Sequence, residues 1–226
     1  TYNVSNLSLN GADKGNYYLT GGTTFSGNNG VITARPINIT ANTNQSKVYG
    51  DADPSTLAFT PEANSAGRGL VAGDAFSGAL TRAAGETVAN NYAISQGTIA
   101  NSNYDITFIP ANFAITPRPI TLSADSATKV YGNANPTYSV SITGGSLPSA
   151  AVTDTLADVT GTLSRAAGEN VGSYNIALGT GAKASNYNIS FDTNNQAMGI
   201  TPRPITLSAD SATKVYGNAN PTYSVS

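Results

Sequence analysis

The chain has 226 residues, enough for one or two domains with real cores, yet only 11% of them are charged, against about 25% in ordinary soluble domains. Its net charge of −2 comes from dispersed single charges with no basic run, which leaves nucleic-acid binding without an electrostatic footprint. With no Cys and no His, disulfides, thiol catalysis, imidazole bases and the usual zinc or copper ligands are excluded.

Gly, Asn, Ser and Thr take the place of the missing charges, beside 12 Tyr and no Trp. Small polar residues with regularly spaced Tyr, Val, Ile and Leu suit short strands joined by many turns. No apolar stretch approaches the ~18 residues of a membrane-spanning helix. The opening TYNVSNLSLNG has neither the basic nor the apolar region of a signal peptide, so an export signal is expected outside these residues.

Taken in order, the chain is a series of repeats, and periodicity of this length decides architecture before local structure does. Residues 1–31 carry NYYLTGG at 16–22 and read as the last part of a preceding repeat. A complete repeat follows over 32–114, opening with ITARPINIT and carrying KVYGDADP at 47–54, LTRAAGE at 80–86 and NYDITF at 103–108. The next, 115–199, answers with KVYGNANP at 129–136, LSRAAGE at 163–169 and NYNISF at 186–191. Ile32 lies 83 residues before Ile115, which lies 85 before Ile200. Residues 200–226 are the first part of a following repeat, identical to 115–141 at all 27 positions. The part-repeats 1–31 and 200–226 lack the strands that would finish a core, and a lone hairpin is marginal in water. Each is therefore expected to dock on the adjacent repeat, to pair with another chain, or to continue in a longer fibre.

Within a repeat the apolar period is two. In PITLSA, Ile120, Leu122 and Ala124 alternate with Thr121 and Ser123; in YSVSI, Tyr138, Val140 and Ile142 alternate with serines; Tyr187, Ile189 and Phe191 alternate with Asn188 and Ser190. Each run predicts a strand with one buried and one wet face. Gly132-Asn133 before Pro136, and Gly144-Gly145, predict turns. Helix is tolerated only at 66–77 and 147–158, for a turn or two. The fold class is mainly β: tandem small domains, each a β-grasp-like sheet or an Ig-like sandwich of five or six strands, strung into an elongated rod.

The ordered motifs ITPRPI, KVYGDADP, GLVAGD and LTRAAGE resemble the MBG-type repeats of very large bacterial surface adhesins, including filamentous-haemagglutinin-like exoproteins. The opening VSNLSLNGADKGNYYLTGG is similar to the tail of the related YDG-type repeat. The resemblance covers nearly the whole chain; in its second repeat LPSAAVTDTLADV replaces the Gly73-Asp74 turn. It implies an extracellular or cell-surface stalk and brings no catalytic residue.

No residue reads as catalytic or cofactor-binding, and no metal site stands out. The Tyr of KVYG (Tyr49, Tyr131, Tyr216) reads as packing at a sheet end rather than as a ligand platform. Asp51 and Asp53 have the short spacing of a calcium loop, which makes calcium the one cofactor left open. Their replacement by Asn133 and Asn135 fits turn capping better. Arg165 and Glu169, like Arg82 and Glu86, flank AAG and are expected to pair outside on opposite strands of a tight hairpin. Lys129 and Glu169, with Lys47 and Glu86, contain parts of a Lys–Asn crosslink promoted by an acid; that chemistry needs a buried Lys, and this one precedes a turn. Asp154 and Asp158 have a glycosidase-like pairing but read as a solvated loop, and GTGAKAS (179–185) lacks the ending of a phosphate loop. Pro117 and Pro119 remove backbone donors and favour extended chain, which predicts a stiff joint. The structural motif of a repeat is thus Pro117, Pro119, Lys129, Tyr131, Gly132, Pro136, Arg165 and Glu169. The function expected is a stalk segment, not an enzyme, whose partners are neighbouring repeats. The alternative is a multivalent module that itself binds host or biofilm glycan, matrix or protein.

Overall fold

A computed structural model describes residues 2–20, 23–27 and 32–226; Gly21 and Gly22, which close NYYLTGG, lie outside the described residues. The protein is mainly β, in several small mixed sheets, with lone short helical turns. β1 (Tyr2–Val4) and β2 (Phe25–Gly27) pair antiparallel. The first full repeat carries β3 (Arg35–Ala41), β4 (Gln45–Val48), β5 (Phe59–Pro61), β6 (Thr81–Arg82), β7 (Ala89–Ser95), β8 (Tyr104–Ile109) and β9 (Asn112–Thr116). The second carries β10 (Arg118–Ala124), β11 (Ala127–Val130), β12 (Val140–Gly145), α1 (Leu156–Thr160), β13 (Ser164–Arg165), β14 (Gly172–Tyr174), β15 (Ile176–Ala177), β16 (Tyr187–Phe191) and β17 (Met198–Thr201).

These strands gather into two compact units whose limits cut across the sequence repeats: Thr1–Thr43, Thr56–Ala83 and Ala93–Asn112 form one, Asn44–Ser55, Ala84–Tyr92 and Phe113–Ser226 the other. In the first unit, β3 is flanked by antiparallel β5 and parallel β8, with Ile37 opposite Ile106. Its core is Ile37, Ile39 and Tyr104, packed by Phe59, Leu70, Phe76, Ile106 and Phe108.

The second unit repeats that arrangement around β10, with antiparallel β12 on one side and parallel β16 on the other. A second set of strands joins β11 to β17 in parallel and β17 to β14 antiparallel. Ile176, Met198 and Ile200 make its core with Ala124, Ala127, Tyr138, Tyr174 and Ala197. The same unit contains the parallel pair β4–β9 of the first repeat, Lys47 opposite Ile115. Period-two burial holds in β10, where Ile120 and Leu122 point inward.

Two turn and helix expectations are corrected. Gly144 and Gly145 lie inside β12, where the ladder shifts register between Thr121 and Leu122. Gly145 takes φ +74, and a Cβ there would strike the Pro119 carbonyl, so glycine serves a close approach within the ladder rather than a turn; the bulge itself falls at Thr143, between the paired Ile142 and Gly144. Over 66–77 no residue is helical; isolated bridges Ala63–Leu70 and Ser65–Arg68 replace it. The helix tolerated in the second repeat sits at its far end. Thr155 caps it, accepting from the Asp158 N–H while the Asp158 carboxylate accepts from Thr155, a reciprocal capping box.

Identical sequence meets different surroundings. Ile120 is 2% exposed, whereas Ile205, its twin in 200–226, is 78% exposed. Ile120→Ala is expected to cost about 2–5 kcal/mol and Ile205→Ala less than about 0.5 kcal/mol when the dilute chain is unfolded in denaturant. Equal losses would contradict this placement of the core.

Candidate functional site

The site is a polar joint inside the second unit, where KVYG of one repeat meets the start of the next. β4 and β9 run in parallel until Tyr49, whose N–H donates to Thr116 O at 2.9 Å. The chain then turns at Gly50, with φ +79. Pro117 breaks the strand between β9 and β10, and Arg118 follows it. The Arg118 guanidinium donates to the Tyr49 carbonyl at 2.8 Å and to the Asp51 carboxylate. The following joint copies this: Tyr131 N–H donates to Thr201 O at 2.9 Å, and Arg203 donates to Tyr131 O at 2.8 Å and to Asn133.

Asp51 and Asn133 therefore do one task, accepting from an arginine. Asp53 and Asn135 do another, lying 2.7 and 2.8 Å from the Lys47 and Lys129 ammonium groups. The two calcium candidates, Asp51 and Asp53, engage separate cations. Among the described residues no three His, Cys, Asp or Glu side chains converge as metal ligands.

The Tyr49 side chain enters a buried cluster. Its hydroxyl donates to Asp154 Oδ2 at 3.0 Å, Tyr187 donates to the same oxygen at 2.5 Å, and Lys183 Nζ donates to Asp154 Oδ1 at 2.5 Å. The Tyr49 and Tyr187 rings meet edge to face, centroids 5.5 Å apart. The Asp154 side chain has 0% exposure, which corrects the expectation of a solvated loop; Asp158 instead completes the capping box that Thr155 begins. Burial alone would push the Asp154 carboxyl up, but Lys183, Tyr187 and Tyr49 together hold it below its ordinary range. Burial and the neighbouring carboxylate push the Tyr49 and Tyr187 hydroxyls up. Around the cluster, Val88 N–H donates to Asn186 Oδ1 at 3.0 Å and Ala151 N–H to Gly50 O at 3.3 Å. A Cβ on Gly50 would collide with Pro148.

Sequence reasoning missed Asp154, Lys183, Tyr187 and Arg118 as partners. In the first repeat, Tyr104 donates to Asp74 Oδ2 at 2.5 Å, just as Tyr187 does to Asp154. An Asp before the NY pair in each repeat was the available signal, masked because GLVAGD and LPSAAVTD do not align. Tyr131, the second KVYG tyrosine, is half exposed.

A third cluster ties the same turn to RAAGE. Lys47 and Lys129 are buried, correcting their reading as exposed turn residues. Lys129 Nζ donates to Asn135 Oδ1 at 2.8 Å and Glu169 Oε2 at 2.5 Å; Lys47 Nζ lies 2.5 Å from Glu86. In the second repeat Lys, Asn and Glu thus meet as a crosslink would require, whereas in the first Asp53 takes the place of the Asn. The charges oppose that bond: Glu169 is 61% exposed, and hydrogen bonding to Lys129 holds its carboxyl low. Burial would lower the Lys47 ammonium, yet Asp53 and Glu86 raise it above its ordinary value. An ammonium has no lone pair with which to attack a carboxamide. Arg165 pairs with Glu169 but lies opposite Ile176 in β13–β15, with Glu169 in the loop. Its side chain is nearly buried over the Tyr174 ring, 5.1 Å away, while Glu169 stays at the surface, so the expected pair forms, but between a strand and a loop rather than across two strands, and with its arginine packed inward.

Denaturation of three variants and the mass of the intact chain test these contacts. Tyr49→Phe removes one buried hydrogen bond and should cost about 1 kcal/mol, and Asp154→Ala about 1–3 kcal/mol for each hydroxyl left without an acceptor. Tyr131→Phe should fall within about 0.5 kcal/mol; denaturant midpoints at constant slope read all three. The intact mass of the purified chain should equal the sum of its residues plus one water, and loss of one ammonia, the leaving group of a Lys129–Asn135 bond, would refute the ion-pair reading of Lys129.

Residues 37–114 and 120–196 match the family model described as MBG domain (YGX type). Tyr49-Gly50 and Tyr131-Gly132 both fall within the matched stretches. No curated protein and no solved structure matches the chain.

Proposed function

The chain belongs to the MBG domain (YGX type) family, with two domains in tandem, and from that membership we propose that it is a stalk segment of a large bacterial surface adhesin. In this reading the repeats have a mechanical task outside the cell, holding a distal binding region away from the surface, and none of them is an enzyme. The observation that carries it is the joint itself: an arginine clamps the KVYG turn at Tyr49 and again at Tyr131. A feature made anew at each repeat supports length and stiffness, whereas catalysis needs one convergent pocket. The neighbouring repeat is the partner to which each joint is fitted.

Deletion of 115–199 tests it in an adhesin that contains this segment. Residues 200–226 then re-create the deleted opening without a scar, since they match 115–141 at every position. The projection should shorten by one repeat while ligand affinity stays unchanged. Saturable binding of the isolated chain to matrix protein or biofilm polysaccharide, rising with repeat number, would overturn the stalk in favour of a multivalent binder.

A further inference from the structure

Each full repeat opens and closes on strands that lie side by side and run the same way. In the second repeat the opening stretch, β10 and β11, pairs with the closing stretch, β16 and β17. Arg118 lies opposite Tyr187, Leu122 opposite Phe191, Ala127 opposite Met198 and Val130 opposite Thr201, all in parallel. In the first repeat β3 pairs in parallel with β8, and β4 with β9. Strands joined by a short hairpin pair antiparallel, whereas parallel partners need a long crossover. Everything from β12 to β15, α1 included, is that crossover in the second repeat.

This topology decides how a repeat meets tension. A pull along the chain draws Arg118 back along β10 and Thr201 forward along β17. Parallel neighbours drawn from opposite ends must slide past each other, so their ladder bonds lie across the force and share it. An antiparallel pair drawn apart at one end loses its bonds one after another. The exit of each repeat is pinned on both sides of the ladder. Tyr131 N–H donates to Thr201 O at 2.9 Å and Thr201 Oγ1 to Lys129 O at 3.2 Å. In the first repeat Tyr49 N–H donates to Thr116 O at 2.9 Å and Thr116 Oγ1 to Lys47 O at 3.2 Å. The entry has little slack, because Pro117 and Pro119 restrict the backbone and Arg118 between them holds the Tyr49 carbonyl at 2.8 Å.

We propose that the repeats bear tensile load, each acting as a clamp that is strained in shear. The load-bearing ladders are β3–β8 and β4–β9 in the first repeat, and β10–β16 and β11–β17 in the second. That tension arises in service rests on the stalk reading; the clamp is a property of the strands themselves. A spacer needs length alone, whereas a clamp keeps that length when whatever the distal region holds is pulled away.

Single-molecule pulling on the full chain tests the clamp. The sequence has no Cys, so two introduced thiols set the direction of load. Thr1→Cys with Ser226→Cys loads the parallel ladders in shear. Pro119→Cys with Ser146→Cys, both at exposed positions, opens β10 from β12 at the end where Ile120 faces Gly145. Both pairs should fold as wild type does by circular dichroism, and at one loading rate the rupture force should be several-fold higher in shear. Forced unfolding follows the unfolding rate rather than the equilibrium stability. Val159→Ala, fully buried in α1 and off the load path, should therefore lower the denaturant midpoint yet leave the shear force near wild type. Ile120→Ala, within β10, should lower both. Equal forces in the two directions would overturn the clamp, as would Val159→Ala weakening the shear force as much as Ile120→Ala does. Neither result touches the projection length read by deleting 115–199, so clamp and stalk can fail separately.

Discussion

Burying the Asp154 carboxylate is the constraint to which the surrounding strands must conform. A fully desolvated carboxylate is costly unless donors engage its oxygens. Here three donors arrive from three separate stretches: Tyr49 after β4, Tyr187 at the head of β16, and Lys183 in the loop before it. A one-residue slip in the β10–β16 pairing would turn Tyr187 to the opposite face. Correct register and a satisfied charge are therefore one condition. Lys183 keeps part of its side chain in water, which spares the joint a second buried ion.

Tyr49 is where that condition meets the chain's covalent path. All three of its polar groups are used: the N–H on Thr116, the carbonyl on Arg118 and the hydroxyl on Asp154. The first two recur at Tyr131 with Thr201 and Arg203. The backbone half of a joint is thus made wherever the ITPRP segment follows its strand. The side-chain half needs a carboxylate from the body of the next repeat. Pro117 serves the first half by ending β9 without an N–H to place, which delivers Arg118 directly to the turn.

Much of this was legible and some was not, for reasons that differ residue by residue. Alternation in PITLSA located Ile120 and Leu122 because strand side chains point to opposite faces in turn. The same letters in 200–226 are exposed, since burial depends on what lies alongside and not on the strand itself. The MBG resemblance drawn from KVYG and RAAGE holds across 37–114 and 120–196. Asp154 was illegible because its loop has no counterpart in the first repeat, so the role it shares with Asp74 is visible only through Tyr187 and Tyr104. Lys47 and Lys129 misled because a lysine beside a turn ordinarily snorkels outward. Here the RAAGE loop folds over it and brings Glu86 or Glu169 to the ammonium.

The exchange of Asp for Asn between repeats follows from the same contrast in solvation. At the rim, Asp51 and Asp53 become Asn133 and Asn135 without loss of the Arg or Lys that each one faces. An amide oxygen accepts in the same geometry, and the charge it gives up is worth little where water screens it. Asp154 is different. It faces Lys183 and two phenols with no water to share the load, and an amide there would present an N–H₂ to at least one donor. The rim is therefore free to vary its charge from repeat to repeat while the buried position is bound to a carboxylate.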